Sequence, residues 1–158
     1  MRELQLVPVS LENLATQIAQ QLATITPLHP QIRIASPLLP VMGHEPSLMQ
    51  AISNLLSNAI KFVAPGTTPQ IRVRTEPRGD EEVRLWVEDN GIGIKPEYHH
   101  RLFGMFERLE AKENYEGTGI GLAIVRKVVE RMGGTVGVES NGVSGSKFWI
   151  QLPAAATP

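Results

Sequence analysis

Residues 116–125, which read EGTGIGLAIV, place the strongest constraint on what this chain can fold into. Three glycines at alternate positions lead directly into an apolar run with helical spacing. Glycine allows positive φ and lets a ligand approach the main chain, and a helix that begins just behind it offers unpaired N–H groups and the positive end of its dipole. The stretch therefore predicts an anion site of the kind that polyphosphates occupy. Its spacing is neither GxGxxG nor a P-loop, so a glycine-rich turn without a ligand remains open from this stretch alone.

Composition narrows the class of protein. With 158 residues, 42% of them hydrophobic and 20% charged, the chain fits one globular domain, which we expect over residues 1–153 with a disordered tail at 154–158. The net charge of −1 lacks the excess of positive charge that is typical of proteins that bind nucleic acid or an anionic membrane surface. There is no cysteine, which excludes a disulfide framework and a thiolate zinc site. No apolar run approaches the ~20 residues of a membrane span, and we expect a cytoplasmic location.

Hydrophobic periodicity predicts an alternation of helices and strands. Apolar residues recur at helical spacing after the candidate N-cap Ser10, while other segments alternate with a period of two and are bounded by Gly or Pro. In chain order we predict an extended piece at 4–9, a helix ending near 24, strands at 31–35 and 39–42, a helix at 46–62, hairpin strands at 70–76 and 82–88, a helix at 118–132, and strands at 135–139 and 148–152.

The helix predicted at 46–62 carries an unusual polar edge. Asn54, Asn58 and Lys61 recur at i, i+4 and i+7 and therefore share one side of the helix. Asparagine is a mediocre helix former, so two of them on one edge call for a reason. Amide oxygens can ligate Mg²⁺ and a lysine can offset phosphate charge. A solvated face with two tolerated asparagines is the alternative.

A carboxylate ends the second hairpin strand in the run Asp89–Gly93, which reads DNGIG. A buried carboxylate is costly unless its acceptor atoms are used, and the exocyclic amine of a purine is a suitable donor. Glycines two residues apart would let a flat ring lie against the backbone. An ordinary Asp-Asn-Gly turn is the alternative. Residues 101–116, with the apolar Phe103 and Phe106, predict an irregular lid over the site.

Taken together and in this order, the four features closely resemble the ATP-binding catalytic domain of bacterial sensor histidine kinases, especially phytochrome-type and hybrid kinases. That domain has the Bergerat-type ATPase fold shared with gyrase B and MutL. The resemblance covers nearly the whole chain and rests on four motifs, which are similar to the N box (54–62), the first glycine box (89–93), the F box (102–109) and the second glycine box (117–122). It implies a two-layer α/β (α+β) sandwich in which a mixed, mainly antiparallel sheet packs on three main helices.

The resemblance also implies roles for matching residues. Asn58 would ligate Mg²⁺, Asn54 would lie beside the phosphates, and Lys61 would approach the terminal phosphates. Asp89 would accept a hydrogen bond from the adenine amine. The remaining implied ATP contacts are Gly91 and Gly93 under the base, Gly117, Thr118, Gly119, Ile120, Gly121 and Leu122 along the triphosphate, and Arg108, with Phe103 and Phe106 as lid anchors. Lys147 stands where many relatives have threonine.

The activity implied is phosphoryl transfer from ATP to a histidine on a separate helical dimerisation domain, which would be the direct partner of a monomeric catalytic domain and would pass the phosphoryl group to a response regulator. We expect neither the acceptor histidine nor its base in this chain, because His44 is followed directly by Glu45 and Pro46 in a predicted turn. A hydrolytic ATPase of this fold would carry glutamate at position 54, where this chain has asparagine. The alternative is a degenerate module that binds nucleotide without transferring phosphate.

Overall fold

The computed structural model describes residues 4–27, 29–93, 119–140 and 144–155. The elements within these ranges are β1 (Val7–Val9), α1 (Leu11–Ile25), β2 (Gln31–Ile34), β3 (Val41–Gly43), α2 (Glu45–Lys61), β4 (Gln70–Arg78), β5 (Glu82–Asp89), α3 (Gly119–Arg131), β6 (Thr135–Glu139) and β7 (Ser146–Pro153). Each of these helices and strands corresponds to a segment predicted from the sequence, with ends that differ by a few residues.

The main sheet has five strands in the order β2-β4-β5-β7-β6. β2 lies parallel to β4, and the other three pairings are antiparallel. A separate two-stranded ladder joins β1 to β3. The predicted sandwich with a mixed, mainly antiparallel sheet and three helices is therefore confirmed.

The core lies between one face of this sheet and the helices. Alternate residues of β4, β5 and β7 point into it, because successive strand side chains face opposite sides. Helices α1 and α2 contribute side chains at helical spacing, and each fully buried one stabilises the fold by about 1.5–3 kcal/mol. The largest fully buried side chains of the described residues are Leu11, Ile18, Val41, Leu48, Ile52, Leu55, Leu56, Val73, Leu85, Met132, Ile150 and Leu152.

Two helix starts follow from local chemistry. The Ser10 hydroxyl accepts a hydrogen bond from the Asn13 N–H at 3.2 Å, which caps α1 as predicted. Helix α2 begins at Glu45 with Pro46 in its first turn, where the missing proline N–H has no cost. His44 occupies the N-cap position in an extended conformation, so it lies outside the helix as expected.

The segment before β3 differs from its prediction. The strand predicted at 39–42 is observed at Val41–Gly43. Side chains elsewhere occupy the N–H groups that a longer strand would use: Leu38 donates to Glu12 Oε1 and Leu39 to Thr75 Oγ1, both at 2.9 Å. Proline at position 40 has no N–H to add to a ladder.

Ordered backbone pairing continues past the predicted domain boundary at residue 153. Ala154 donates to the Glu81 carbonyl at 2.8 Å and forms a β-bridge with Val41, and Ala155 is buried. These two residues therefore do not belong to a free tail, while residues 156–158 lie outside the described ranges. Within those ranges no helix combines the length and apolar character needed to cross a membrane.

Candidate functional site

Asp89 ends β5 on the face of the sheet that is turned toward the helices. It is directly paired with Ser146, the first residue of β7. Its Oδ1 accepts two backbone hydrogen bonds, from the Gly91 N–H at 2.8 Å and from the Ser146 N–H at 3.1 Å. Both bonds use the same oxygen, so among the described residues Oδ2 is left to meet another donor.

Burial raises the pKa of Asp89 from 3.8 to about 6, and the N–H groups of Gly91 and Ser146 limit the rise. Desolvation penalises the charged form, whereas donors directed at the carboxylate favour it. The group is thus ionised at neutral pH but poorly solvated. A fixed, desolvated acceptor of this kind is typical of a binding site.

Three segments meet at the loop that follows Asp89. The Ile92 N–H donates to the carbonyl of Phe62, the C-cap of α2, at 2.9 Å. The Gly145 N–H donates to the Gly91 carbonyl at 2.7 Å. The end of α2, the end of β5 and the start of β7 are therefore joined by backbone bonds around the carboxylate.

Packing inside the protein requires glycine at position 91. A Cβ at this position would collide with the Phe62 carbonyl oxygen and would lie 2.9 Å from Asp89 Oδ1. Gly93, by contrast, has φ +80°, a conformation that glycine adopts without strain. The placement of Gly91 and Gly93 under an adenine base stays a prediction. The contacts with Phe62 and Asp89 are enough to explain the close packing at Gly91.

The polar edge of α2 lies one turn before this junction. Asn58 is only 6% exposed, and its Nδ2 has no hydrogen-bond partner within the described part of the chain. A buried amide group without a hydrogen-bond partner lowers the folding stability by about 1–3 kcal/mol. The presence of Asn58 at this position therefore points to a binding partner outside the described residues. Asn54 is half-buried on the same edge and Lys61 is exposed. The unpaired Nδ2 is a donor and fits an acceptor such as a phosphate oxygen, whereas the Oδ1 of the same amide is the kind of ligand that Mg²⁺ takes.

Helix α3 is described from Gly119 onward, so Gly119, Ile120 and Gly121 lie in its N-terminal part, and Leu122 is buried in the core. The helix packs against α2. Its first four N–H groups have no acceptor inside the helix, and its dipole favours anions at this end. The later glycines of the motif thus belong to the helix terminus itself.

Several predicted site residues lie outside the described ranges: Phe103, Phe106, Arg108, Gly117 and Thr118. Their roles stay predictions.

Two residues that sequence reasoning did not select also shape the site. Ser146 is 5% exposed and faces the same side as Asp89, while Lys147 points to the other face and lies 3.6 Å from Glu88. The hydroxyl residue paired with Asp89 is thus Ser146. The alternation of apolar residues in β7 could have revealed the face on which Ser146 lies, but not its partner. Asn90 ties the loop to β4, because its Oδ1 accepts from the Gln70 N–H at 2.8 Å and its Nδ2 donates to the Thr68 carbonyl at 3.1 Å.

The chain belongs to the family of histidine kinase-, DNA gyrase B- and HSP90-like ATPases, whose model matches residues 43–156. Among curated relatives, cyanobacterial phytochrome A of Nostoc is 40% identical over 91% of this chain. The sensor histidine kinase AruS of Pseudomonas aeruginosa is 43% identical over 72% of it. The chain spans only 18% and 12% of the lengths of these two relatives.

Solved structures agree with this assignment. The mycobacterial sensor histidine kinase MprB superimposes with a TM-score of 0.81 at 26% identity, covering 96% of this chain and all of the MprB chain. Full-length ShkA in complex with AMPPNP superimposes with a TM-score of 0.82 at 31% identity, covering 99% of this chain and 33% of ShkA. The fold is that of the ATP-binding domains of histidine kinases.

Proposed function

We propose that this chain is the catalytic domain of a two-component sensor histidine kinase and that it binds ATP with Mg²⁺. The observation that carries the proposal is the Asp89 carboxylate. It is partly buried, held through Oδ1 by two backbone N–H groups, and, among the described residues, open to a further donor at Oδ2. The membership of residues 43–156 in the ATPase family supports a nucleotide as the source of that donor.

The adenine amine would donate to Asp89 Oδ2 from the space beside the junction. The rigidity of the junction matters, because a preorganised acceptor loses little entropy on binding. Ser146, buried beside Asp89, would fix the orientation of the carboxylate through its backbone N–H. Gly91 and Gly93 would keep the loop close to α2.

The phosphates would lie between the polar edge of α2 and the first turn of α3. Asn58 would hold Mg²⁺ through its amide, with Asn54 beside the phosphates and Lys61 near their outer end. The cation would neutralise charge that develops on the transferring phosphoryl group. The N–H groups from Gly119 to Leu122 would face the phosphate oxygens, with Gly117, Thr118 and Arg108 as further contacts.

The protein's contribution to the transfer would be positioning and electrostatic stabilisation, since phosphoryl transfer needs little covalent chemistry from the enzyme. The acceptor histidine would belong to a helical dimerisation domain of the same kinase, which would then pass the phosphoryl group to a response regulator.

Because the nucleotide substrate is intracellular, we also propose that this domain lies in the cytoplasm. We propose that it is a monomer when it is separate from the dimerisation domain. Phe103 and Phe106 would anchor the lid over bound nucleotide.

Phosphate transfer to an added helical domain tests the proposal. The chain would be mixed with the histidine-containing dimerisation domain of a close relative and with γ-labelled ATP. We expect acid-labile label on the dimerisation domain and none on this chain. If nucleotide binds but no label moves, either to that domain or within a fused two-domain protein, the chain is the degenerate regulatory module instead.

A further inference from the structure

The face of the main sheet turned away from the helices carries positive charge that its carboxylates do not balance. Glu88 alone is approached by three cations: Arg74 Nε at 3.2 Å, Lys147 Nζ at 3.6 Å and Arg72 Nη1 at 3.7 Å. Glu76 lies 3.8 Å from Arg74 but is shared with Arg78 at 3.4 Å, so these two carboxylates remain outnumbered by the cations around them. The excess lies around β4 and the end of β5.

Arg33 adds a fourth cation at the same place. It is exposed, and none of the described carboxylates lies within ion-pair distance of it. In the parallel register of β2 and β4, Arg33 is directly paired with Arg72. Like charges on paired positions of neighbouring strands destabilise a sheet, and an anion placed between the two guanidinium groups would remove that cost.

A cavity of about 550 Å³ opens at this point. Its lining combines Arg33 and Arg72 with the amide-bearing residues Gln31, Gln70 and Asn90, with Ile32 and Ile71, and with two carboxylate residues, Glu88 and Asp89. Glu88 is already paired with Arg74 and Lys147, and Asp89 already accepts two backbone hydrogen bonds. Its volume lies in the range of small-molecule sites. Guanidinium groups bind phosphate and carboxylate oxygens in a bidentate fashion, and carboxamides can add N–H donors.

We propose that this cavity binds a small anionic metabolite through its phosphate or carboxylate group, held between Arg33 and Arg72. The anion-binding groups differ from those of the nucleotide site, because Arg33 and Arg72 lie on the face of the sheet opposite to the side chain of Asp89. The two sites are neighbours at the end of β5, where Asp89 also lines the cavity. The proposal goes beyond the proposed kinase activity and does not depend on it.

Tryptophan fluorescence gives a local readout. The chain has two tryptophans, Trp86 and Trp149, and both lie on this face, with the Arg74 guanidinium carbon 5.0 Å from the Trp86 ring centroid. An anion that draws Arg72 away from Glu88 changes the pairing of Arg74 and hence the environment of Trp86. Inorganic phosphate and succinate would be titrated separately at constant ionic strength, with and without saturating ADP and Mg²⁺.

We expect a saturable change with phosphate, succinate or both, and the more effective probe identifies the chemical group. Arg33→Ala should weaken binding by about tenfold or more, as expected for loss of a charge-assisted hydrogen bond. Arg33→Lys should recover part of it. Arg78→Ala is the matched control, because Arg78 is an exposed β4 arginine paired with Glu76 at 3.4 Å and does not line the cavity.

Three results would overturn the proposal: no saturable signal with either probe, an equal loss in Arg33→Ala and Arg78→Ala, or displacement of the probe by ADP. The first excludes a site, the second reduces the effect to general charge screening, and the third places the anion in the nucleotide site. ADP binding measured on the same sample reports separately on the proposed kinase function.

Discussion

At the scale of single residues, the burial of Asp89 lowers the stability of the nucleotide-free domain. A carboxyl group whose pKa is raised on folding from 3.8 to about 6 loses on the order of 3 kcal/mol of folding free energy once the pH exceeds both values. The folded state holds the proton more tightly than the unfolded state. The contribution of Asp89 to stability therefore falls as the pH rises from about 4 to about 6.

The substitution Asp89→Asn separates binding from stability. Asparagine keeps an oxygen for the N–H groups of Gly91 and Ser146 but replaces the Oδ2 acceptor with a donor. We expect ATP affinity to fall by about 1.5–3 kcal/mol, while the melting temperature at neutral pH stays the same or rises because a desolvated charge is gone. Calorimetry and thermal melts measure the two effects, and unchanged affinity would remove Asp89 from the site.

The pH dependence of ADP binding provides a second test of the same residue. Since the adenine amine needs the ionised acceptor, affinity should fall as the pH drops below about 6 and approach a tenfold loss per pH unit. Asp89→Asn serves as the control, because it retains the titration of the ADP phosphates but not that of the carboxylate. Parallel pH profiles for the two proteins would contradict the assignment.

At the scale of elements, the junction between α2, β5 and β7 links the nucleotide site to the fold. A side chain at Gly91 would press on the Phe62 carbonyl and on Asp89 Oδ1. We expect Gly91→Ala to cost about 1–3 kcal/mol of stability through overpacking and to weaken nucleotide binding as the carboxylate shifts.

Gly79→Ala is the control for that substitution. Gly79 lies in the β4–β5 turn with φ +69° and open space around its Cβ position, so alanine there is strained without touching the site. Thermal melts should show a loss in both variants, whereas an ADP titration should show a loss in Gly91→Ala alone. If Gly91→Ala binds ADP as tightly as the wild type, the junction does not position the carboxylate.

The sequence predicts features that depend on local contacts better than features that depend on contacts between distant residues. The edge of Asn54 and Asn58 could be predicted because helical periodicity is local. The pairing of Ser146 with Asp89 depends on strand register between residues 57 positions apart, which no local pattern specifies. The shortened β3 likewise follows from distant partners, Glu12 and Thr75, that take its N–H groups.

At the scale of the whole molecule, the sheet separates two chemically different faces. The face toward the helices holds the core and the Asp89 carboxylate, while the other carries the arginines and both tryptophans. The period of two along β4 is enough to place Arg72 and Arg74 on the same face of the sheet. The cavity beside Arg33 could not be predicted, because the parallel pairing of β2 with β4 brings it together.

The most direct test of the account is a calorimetric titration with ADP and with a non-hydrolysable ATP analogue, each with and without Mg²⁺. We predict binding that Mg²⁺ strengthens in the wild type, and loss of that strengthening in Asn58→Ala. This variant removes a buried amide nitrogen that has no hydrogen-bond partner among the described residues, so it should stay folded. Absence of binding at millimolar nucleotide would contradict the nucleotide site, and Mg²⁺ dependence that survives in Asn58→Ala would contradict its metal role.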